Sequence, residues 1–237
     1  ACFNVHTRVL TLPMWEKASN GVYDLLVGHE VGHALFTPDE DWTEKVKVPP
    51  QFVNVVEDAR VEKLMKRKYA GLAKTFYNGY KELNEDDFFQ IADDDISTFN
   101  LADKVNLFYK IGNYIDVPFT EEEMAIVRII GGCEEFKDVL FAAELLYKYC
   151  KQNQEQEQKI LSVLKSAGYA VTTVEVSEKI GNTVDNTSRA LRGLRASGIV
   201  ENGLTEYVNS RAVLTWQLTN KDIKITKVIE LPEKKEI

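Results

Sequence analysis

The sequence predicts an α+β protein, mainly helical over its first 150 residues and closing with a smaller unit of three helices and a hairpin. Three observations predict it. Apolar residues recur at helical spacing in the first part, the run Lys151-Gln152-Asn153-Gln154-Glu155-Gln156-Glu157-Gln158 changes the composition, and beyond it short helical stripes give way to alternating segments. A chain of 237 residues accommodates one large domain or two ordinary ones, and the boundary is expected at 150/151, giving domains 1–150 and 151–237. The polar run itself reads as a linker or as the polar start of a helix. Charge divides at the same place: 16 Lys and Arg stand against 26 Asp and Glu in residues 1–150, a balance of −10, and 13 against 11 in residues 151–237, a balance of +2. An acidic first part does not seek nucleic acid, whereas the weakly basic second part can.

Taken in order, Val5 to Leu12 alternates imperfectly and ends at Pro13, so a strand is expected there, either an ordinary sheet edge or one to which a peptide adds as a further strand. The next segment holds His29-Glu30-Val31-Gly32-His33. On a helix, residues i and i+4 stand one above the other, so both imidazoles can reach one metal ion while Glu30 faces the water that the metal activates. The flanks Leu26-Val27-Gly28 and Ala34-Leu35-Phe36 carry no charge, as a helix lying in a dry cavity requires. Two of the chain's three histidines fall in this spacing, and the third, His6, is expected to point to solvent.

A zinc ion on two histidines needs a third protein ligand and leaves its fourth position for water. The following helix, opened by Pro49-Pro50 and running to Leu64, supplies candidates. Glu57 shares a face with Val53, Val61 and Leu64, and a carboxylate in an apolar run needs a cation to meet it. Glu57 is therefore the expected ligand beside His29 and His33, with Glu30 as catalytic base. Asp58, on the face of Glu62, is the rival; it is expected to orient His29 or His33 from behind, with Arg60 pairing with carboxylates around the site. The expected chemistry is hydrolysis of a peptide or protein by metal-activated water.

These residues carry a resemblance. The stretch Val22 to Pro38, with its HEVGHAL block, and Asn54 to Lys63, with NVVEDARVE, resemble the metallopeptidases of tailed myovirus-type phages, which are similar to the peptidase-like part of cobaltochelatase-associated proteins, where such a unit is commonly followed by a von Willebrand A domain. The resemblance runs from about Val5 to about Lys151. It implies a zincin-like domain of gluzincin type, a zinc-dependent endopeptidase with Glu30 as base, and it names no substrate. A phage-encoded protein of this kind would work in the host cytoplasm.

Residues 66–150 read as helical and structural. Thr120-Glu121-Glu122-Glu123 is a capping box ahead of Met124, Val127 and Ile130, and Asp93-Asp94-Asp95 lacks the spacing of a calcium loop and reads as a turn. One of Tyr69, Tyr77, Tyr80 or Arg60 is a candidate donor to the oxyanion of hydrolysis.

The second part has its own order. Ile160, Leu161, Val163 and Leu164 lie on a helix that stops at Gly168; Val174, Val176 and Ile180 lie on a short one ending at Gly181; Val184, Leu191 and Leu194 form the stripe of a third. Segments around Ile199 to Glu201 and Ala212 to Leu218 alternate as a hairpin, and Asp222 to Leu231 alternates as a last strand. The run from Glu155 to Thr219 resembles winged helix-turn-helix domains of bacterial and phage regulators. The resemblance implies that the third helix enters the major groove of duplex DNA, presenting Asn182, Thr183, Asn186, Ser188, Arg189 and Arg192. The thin charge of +2 leaves a protein-docking role open.

Cys2, Cys133 and Cys150 are too few and too scattered for a zinc knuckle or a disulfide framework, which places the chain in a reducing, cytoplasmic compartment. No run approaches the ~20 apolar residues of a membrane span, and no signal-peptide pattern opens the chain. The sequence starts Ala1-Cys2 without methionine, so a removed initiator or a longer start is expected. The alternative functions are a DNA-binding regulator or a phage adaptor carrying a catalytically inactive zincin scaffold.

Overall fold

A computed structural model describes residues 1–4, 6–208 and 211–220. The chain is mainly helical with short strands, and it divides into two compact units between Tyr147 and Lys148, three residues before the expected boundary. The polar run 151–158 is no linker. It lies inside a single helix, α6, spanning Phe136–Ala167, because Gln, Glu and Lys are good helix formers and no Gly or Pro interrupts them.

The first unit opens with strands β1 (Cys2–Asn4) and β2 (Val9–Thr11), paired antiparallel with Phe3 opposite Leu10. The expected single strand over Val5 to Leu12 is thus a turn and a strand. Asn4 Oδ1 accepts the N–H groups of His6 and Thr7 at 3.0 and 2.8 Å, and Arg8 takes φ 57°, which reverses the chain; Val5 lies outside the described residues.

Helices α1 (Asn20–Phe36), α2 (Pro50–Lys68) and α3 (Ala70–Glu85) form the centre of this unit, with α4 (Leu101–Ile111) and α5 (Glu121–Gly132) following. Helix α1 starts where Ser19 accepts the N–H groups of Gly21 and Val22, and Glu82 on α3 holds Ser19 in turn. Two glycines set its approach to its neighbours. A Cβ on Gly32 would stand 2.5 Å from Val61 Cγ1 and 2.8 Å from Met65 Cγ on α2; a Cβ on Gly79 of α3 would stand 2.7 Å from Leu25 Cδ1. Overpacking of that kind costs about 1–3 kcal/mol, so α1 lies against both partners only because these side chains are missing. Gly32 is one of the two variable letters inside the HExxH stretch, which ties the motif's packing to its chemistry.

The capping box at Thr120 and Glu123 forms as expected, and Glu123 also takes the ammonium of Lys104 at 2.7 Å in a buried pair. Asp93 and Asp94 lie in a turn, and Asp95 caps a short 3-10 helix over Ile96–Thr98.

The second unit contains the last part of α6, strand β3 (Val171–Thr172), helices α7 (Thr173–Ile180) and α8 (Val184–Ala196), and strands β4 (Val200–Asn202), β5 (Glu206–Val208), β6 (Arg211–Val213) and β7 (Thr215–Leu218). Strand β7 lies between β3 and β4, antiparallel to both, while β5 and β6 pair with each other. The two turns that delimit the helices rest on Gly168 and Gly181, with φ of 69° and 67°, where a side chain would be strained. Ile160, Leu164, Val171, Val176, Leu191, Leu194 and Trp216 make one core. Val184 departs from the expected stripe: it is 45% exposed, and the buried positions of α8 are Thr187, Leu191 and Leu194. As the first residue of α8, Val184 lies at the rim of the face it was expected to share. The expected strand over Asp222 to Leu231 lies outside the described residues.

Candidate metal centre

Helix α1 carries His29 and His33 on one face, and α2 is close enough, through Gly32, to bring its own side chains onto the same point. Three donor atoms converge there. His29 Nε2 and His33 Nε2 are 3.2 Å apart, and Asp58 Oδ1 stands 3.1 Å from His33 Nε2 and 3.6 Å from His29 Nε2. For ligand bonds of about 2.0–2.1 Å, the edge of a tetrahedron is about 3.3–3.4 Å. The three edges bracket that value, so the three atoms are spaced to hold one zinc-sized ion. Among the described residues these are the His, Cys, Asp and Glu side chains that offer such a cluster.

The opposite nitrogens show what the facing atoms are. Glu62 is an acceptor-only carboxylate 3.2 Å from His29 Nδ1, so that nitrogen carries the proton. Thr37 Oγ1 donates its proton to Glu57 Oε1 at 2.5 Å and lies 2.9 Å from His33 Nδ1, so it accepts from that nitrogen. With both rings neutral, the two Nε2 atoms are bare lone pairs that face each other and a carboxylate oxygen. Such an arrangement is repulsive until a cation enters; a proton relieves part of it, and a metal ion relieves all three atoms.

Electrostatics follow the same pattern. Burial lowers the pKa of His29, but the bond to Glu62 and the charges of Asp58 and Glu62 outweigh it and leave the group raised above 6.5. Burial raises Asp58 and Glu62, yet the bonds to His33 and His29 and the ammonium groups of Lys110 and Lys66 hold both carboxyls below their usual range. Burial pushes the Tyr80 phenol well up, and the Glu62 charge adds to it, so Tyr80 remains a donor to Glu62 Oε1.

The structure places the two candidates for the third ligand differently from the expectation. Glu57 does not join the rings; Asp58 does. Both oxygens of Glu57 are occupied, Oε2 by Arg60 Nε at 2.7 Å and Oε1 by Arg60 Nη2 at 2.6 Å and by Thr37, in a pair whose side chains are each 4% exposed. The cation that a carboxylate in an apolar run requires is thus a guanidinium three residues along the helix. Arg60 also donates to the carbonyls of Phe36 and Glu134, so it ties α1, α2 and the segment before α6 together and is not free to meet substrate. Asp58 thus presents an oxygen to the cluster, and Glu57 reaches His33 through Thr37.

Glu30 is half-buried and has no hydrogen-bond or ion-pair partner among the described residues. His6 stands apart, exposed and 3.6 Å from Asp39. Of the expected oxyanion donors, Tyr80 is committed to Glu62, Arg60 to Glu57, and Tyr69 and Tyr77 are exposed on α3 and its cap.

Four residues reach the cluster in roles that the sequence reading does not give them. Thr37 stands four residues after His33 at the end of α1, and Glu62 four residues after Asp58, so helical spacing could have pointed to both. Tyr80 on α3 and Lys110 on α4, whose Nζ is 2.9 Å from Asp58 Oδ2, carry no local signal.

In the second unit, Asn186, Arg189 and Arg192 are exposed along α8, and Arg195 joins them one turn further. Thr183 caps α8 by accepting from the Asn186 N–H, Asn182 accepts from the Thr183 N–H, and Ser188 is half-buried. The first two are engaged in starting the helix. Comparison with known protein families, curated proteins and solved structures finds no match to this chain.

Proposed function

We propose that the chain is a metal-dependent hydrolase, a zinc peptidase whose ligands are His29, His33 and Asp58 and whose base is Glu30. One observation supports this above the rest: three lone pairs converge on a point of tetrahedral size while the nitrogens behind them are satisfied by Glu62 and Thr37. A zinc ion held there supplies Lewis acidity, bringing the pKa of a water from 15.7 towards about 7 and polarising a substrate carbonyl. Glu30, lying next to His29 on α1 and free of partners, takes the proton of the attacking water and returns it to the leaving amine. Glu62 and the Thr37–Glu57 pair keep the two rings in one tautomer and orientation. The cluster is reachable, since the side chains of His29, His33 and Asp58 are 17, 27 and 19% exposed.

The second unit fits a winged helix. Its order of helix, strand, helix, turn, helix and then strands, with β7 between β3 and β4, supports that reading, as do Arg189, Arg192 and Arg195 on the outer side of α8. Docking to duplex DNA is the role this face supports, bringing the hydrolytic unit to a protein substrate there.

Elemental mass spectrometry on protein made without a histidine tag tests the metal, and a mixture of unfolded proteins analysed for new termini tests the activity. About one zinc per chain and cleavage lost in Glu30→Gln, with zinc and circular dichroism retained, are the expected results. A folded parent without zinc, or a Glu30→Gln variant that still cleaves, refutes the proposal.

A further inference from the structure

The three carboxylates that α2 brings to the cluster are each matched with a cation: Glu57 with Arg60, Glu62 with Lys66 and Asp58 with Lys110. The last pair differs from the others in where its cation acts. Glu57 and Glu62 stand behind the histidine rings, so a cation on them touches the metal position only through another group. Asp58 is itself a donor to that position. Its Oδ1 faces the two Nε2 atoms, and its Oδ2 accepts from Lys110 Nζ at 2.9 Å. Lys110 comes from α4.

From this geometry we infer that Lys110 weakens the hold on the metal ion and keeps the ion electrophilic, by drawing on the charge of its one anionic ligand. The inference rests on the metal-centre reading above. Groups behind metal ligands ordinarily accept a proton and make the ligand a better donor, and their loss lowers affinity about 10–100-fold. Lys110 has the opposite sign. As a donor to the ligand carboxylate it withdraws electron density, and as a cation on the order of 5 Å from a dication it repels it; even at water's dielectric that repulsion amounts to roughly a tenfold change in binding. Asp58 itself does not depend on Lys110 for its place, since it sits in the middle of a 19-residue helix locked to α1 at Gly32. The metal-free protein gains from the same contact, because the ammonium gives Asp58 a partner when no ion is present.

Zinc affinity measured by competition with a chromogenic chelator tests this on the full chain, without reference to turnover. Lys110→Met and Lys110→Gln remove the charge at similar length, Lys110→Arg keeps it, Glu62→Gln serves as a variant of opposite sign, and His33→Ala reports whether the zinc sits at this cluster. The two neutral variants are expected to bind zinc about tenfold more tightly than the parent, the arginine variant like the parent, and Glu62→Gln about 10–100-fold more weakly. Neutral variants that bind zinc equally or more weakly overturn the role of Lys110 and leave the metal centre standing. A parent that takes up no zinc, or zinc uptake unaffected by His33→Ala, overturns both.

Discussion

Exchanging Glu57 and Asp58 for alanine, one at a time, separates a metal ligand from its brace by two independent readouts. In Glu57→Ala the Arg60 guanidinium, 4% exposed, loses both of its carboxylate contacts at 2.6 and 2.7 Å. Breaking a buried pair from one side costs about 3–5 kcal/mol. Arg60 keeps the carbonyls of Phe36 and Glu134 at 2.9 and 3.1 Å as acceptors, which places the cost at the low end, near 3 kcal/mol. With each kcal/mol worth about 2–4 °C in a chain of this size, Tm falls by roughly 6–12 °C. Zinc affinity falls about 10–100-fold, because Thr37 loses its acceptor and holds His33 less firmly. In Asp58→Ala the signs divide differently. Lys110, 20% exposed, turns to solvent and Tm changes by less than about 4 °C, while zinc affinity falls by more than about 100-fold, beyond the range of groups that act through a ligand. Thermal unfolding by circular dichroism gives the first readout, and chelator competition at a temperature where both variants are folded gives the second. If Glu57→Ala lost more zinc affinity than Asp58→Ala, the ligand assignment would fall.

Zinc uptake displaces a proton from the cluster, so its pH dependence follows from His29. With a pKa raised above 6.5, His29 must be deprotonated before it can bind, and apparent zinc affinity is expected to drop by about tenfold per pH unit once the pH falls below that raised value, beginning above pH 6.5. The metal-free protein shows the opposite slope: the contribution of His29 to stability is complete below 6.5 and is lost as the pH rises through the raised value, while Asp58 and Glu62, held below 3.8 and 4.5, lose theirs only in acid as the pH falls through their depressed values. Zinc titrations between pH 8 and 6 check the first sign, and a flat affinity across that range contradicts it. For the second unit, Arg192→Ala is expected to lower the slope of log affinity against log salt for duplex DNA by about one unit, read by fluorescence anisotropy; a parent that does not bind DNA at low salt makes α8 a protein-docking surface.

Much of the fold is legible in the sequence because its signals are local. The HExxH stretch is a helix with two facing imidazoles, Pro49-Pro50 opens α2, Thr120 and Glu123 close a capping box, and Gly168 and Gly181 end helices at positive φ. Where the sequence misleads, a nonlocal fact decides. The polar run at 151–158 signals a boundary by composition yet continues α6, since polarity alone does not break a helix whose residues favour it. The alternation of Val5 to Leu12 signals one strand, but the Asn4 side chain turns the chain at His6 and Thr7. Tyr80 and Lys110 reach the cluster from α3 and α4, at sequence distances where no spacing rule operates.

The choice between Glu57 and Asp58 turns on what a hydrolytic site asks of its ligands. Counting apolar neighbours along α2 finds the face that is deepest, and Glu57 is on it. Under the proposed metal centre, depth is the wrong criterion. A metal that meets substrate needs ligands at the border of the core, where one coordination position stays open, and the side chains of His29, His33 and Asp58 have 17, 27 and 19% of their surface exposed. The carboxylates at 4%, Glu57 and Glu62, lie beyond reach of solvent, and each acts on a histidine's other nitrogen, Glu62 directly and Glu57 through Thr37. Adjacent residues on a helix point about 100° apart, so a one-residue step moves a carboxylate from the buried face to its edge. The signal that separates the two acids is therefore the partner each one finds within a turn: Arg60 at i+3 neutralises Glu57 in the core, whereas Asp58 finds no cation on α2 and takes Lys110 from α4.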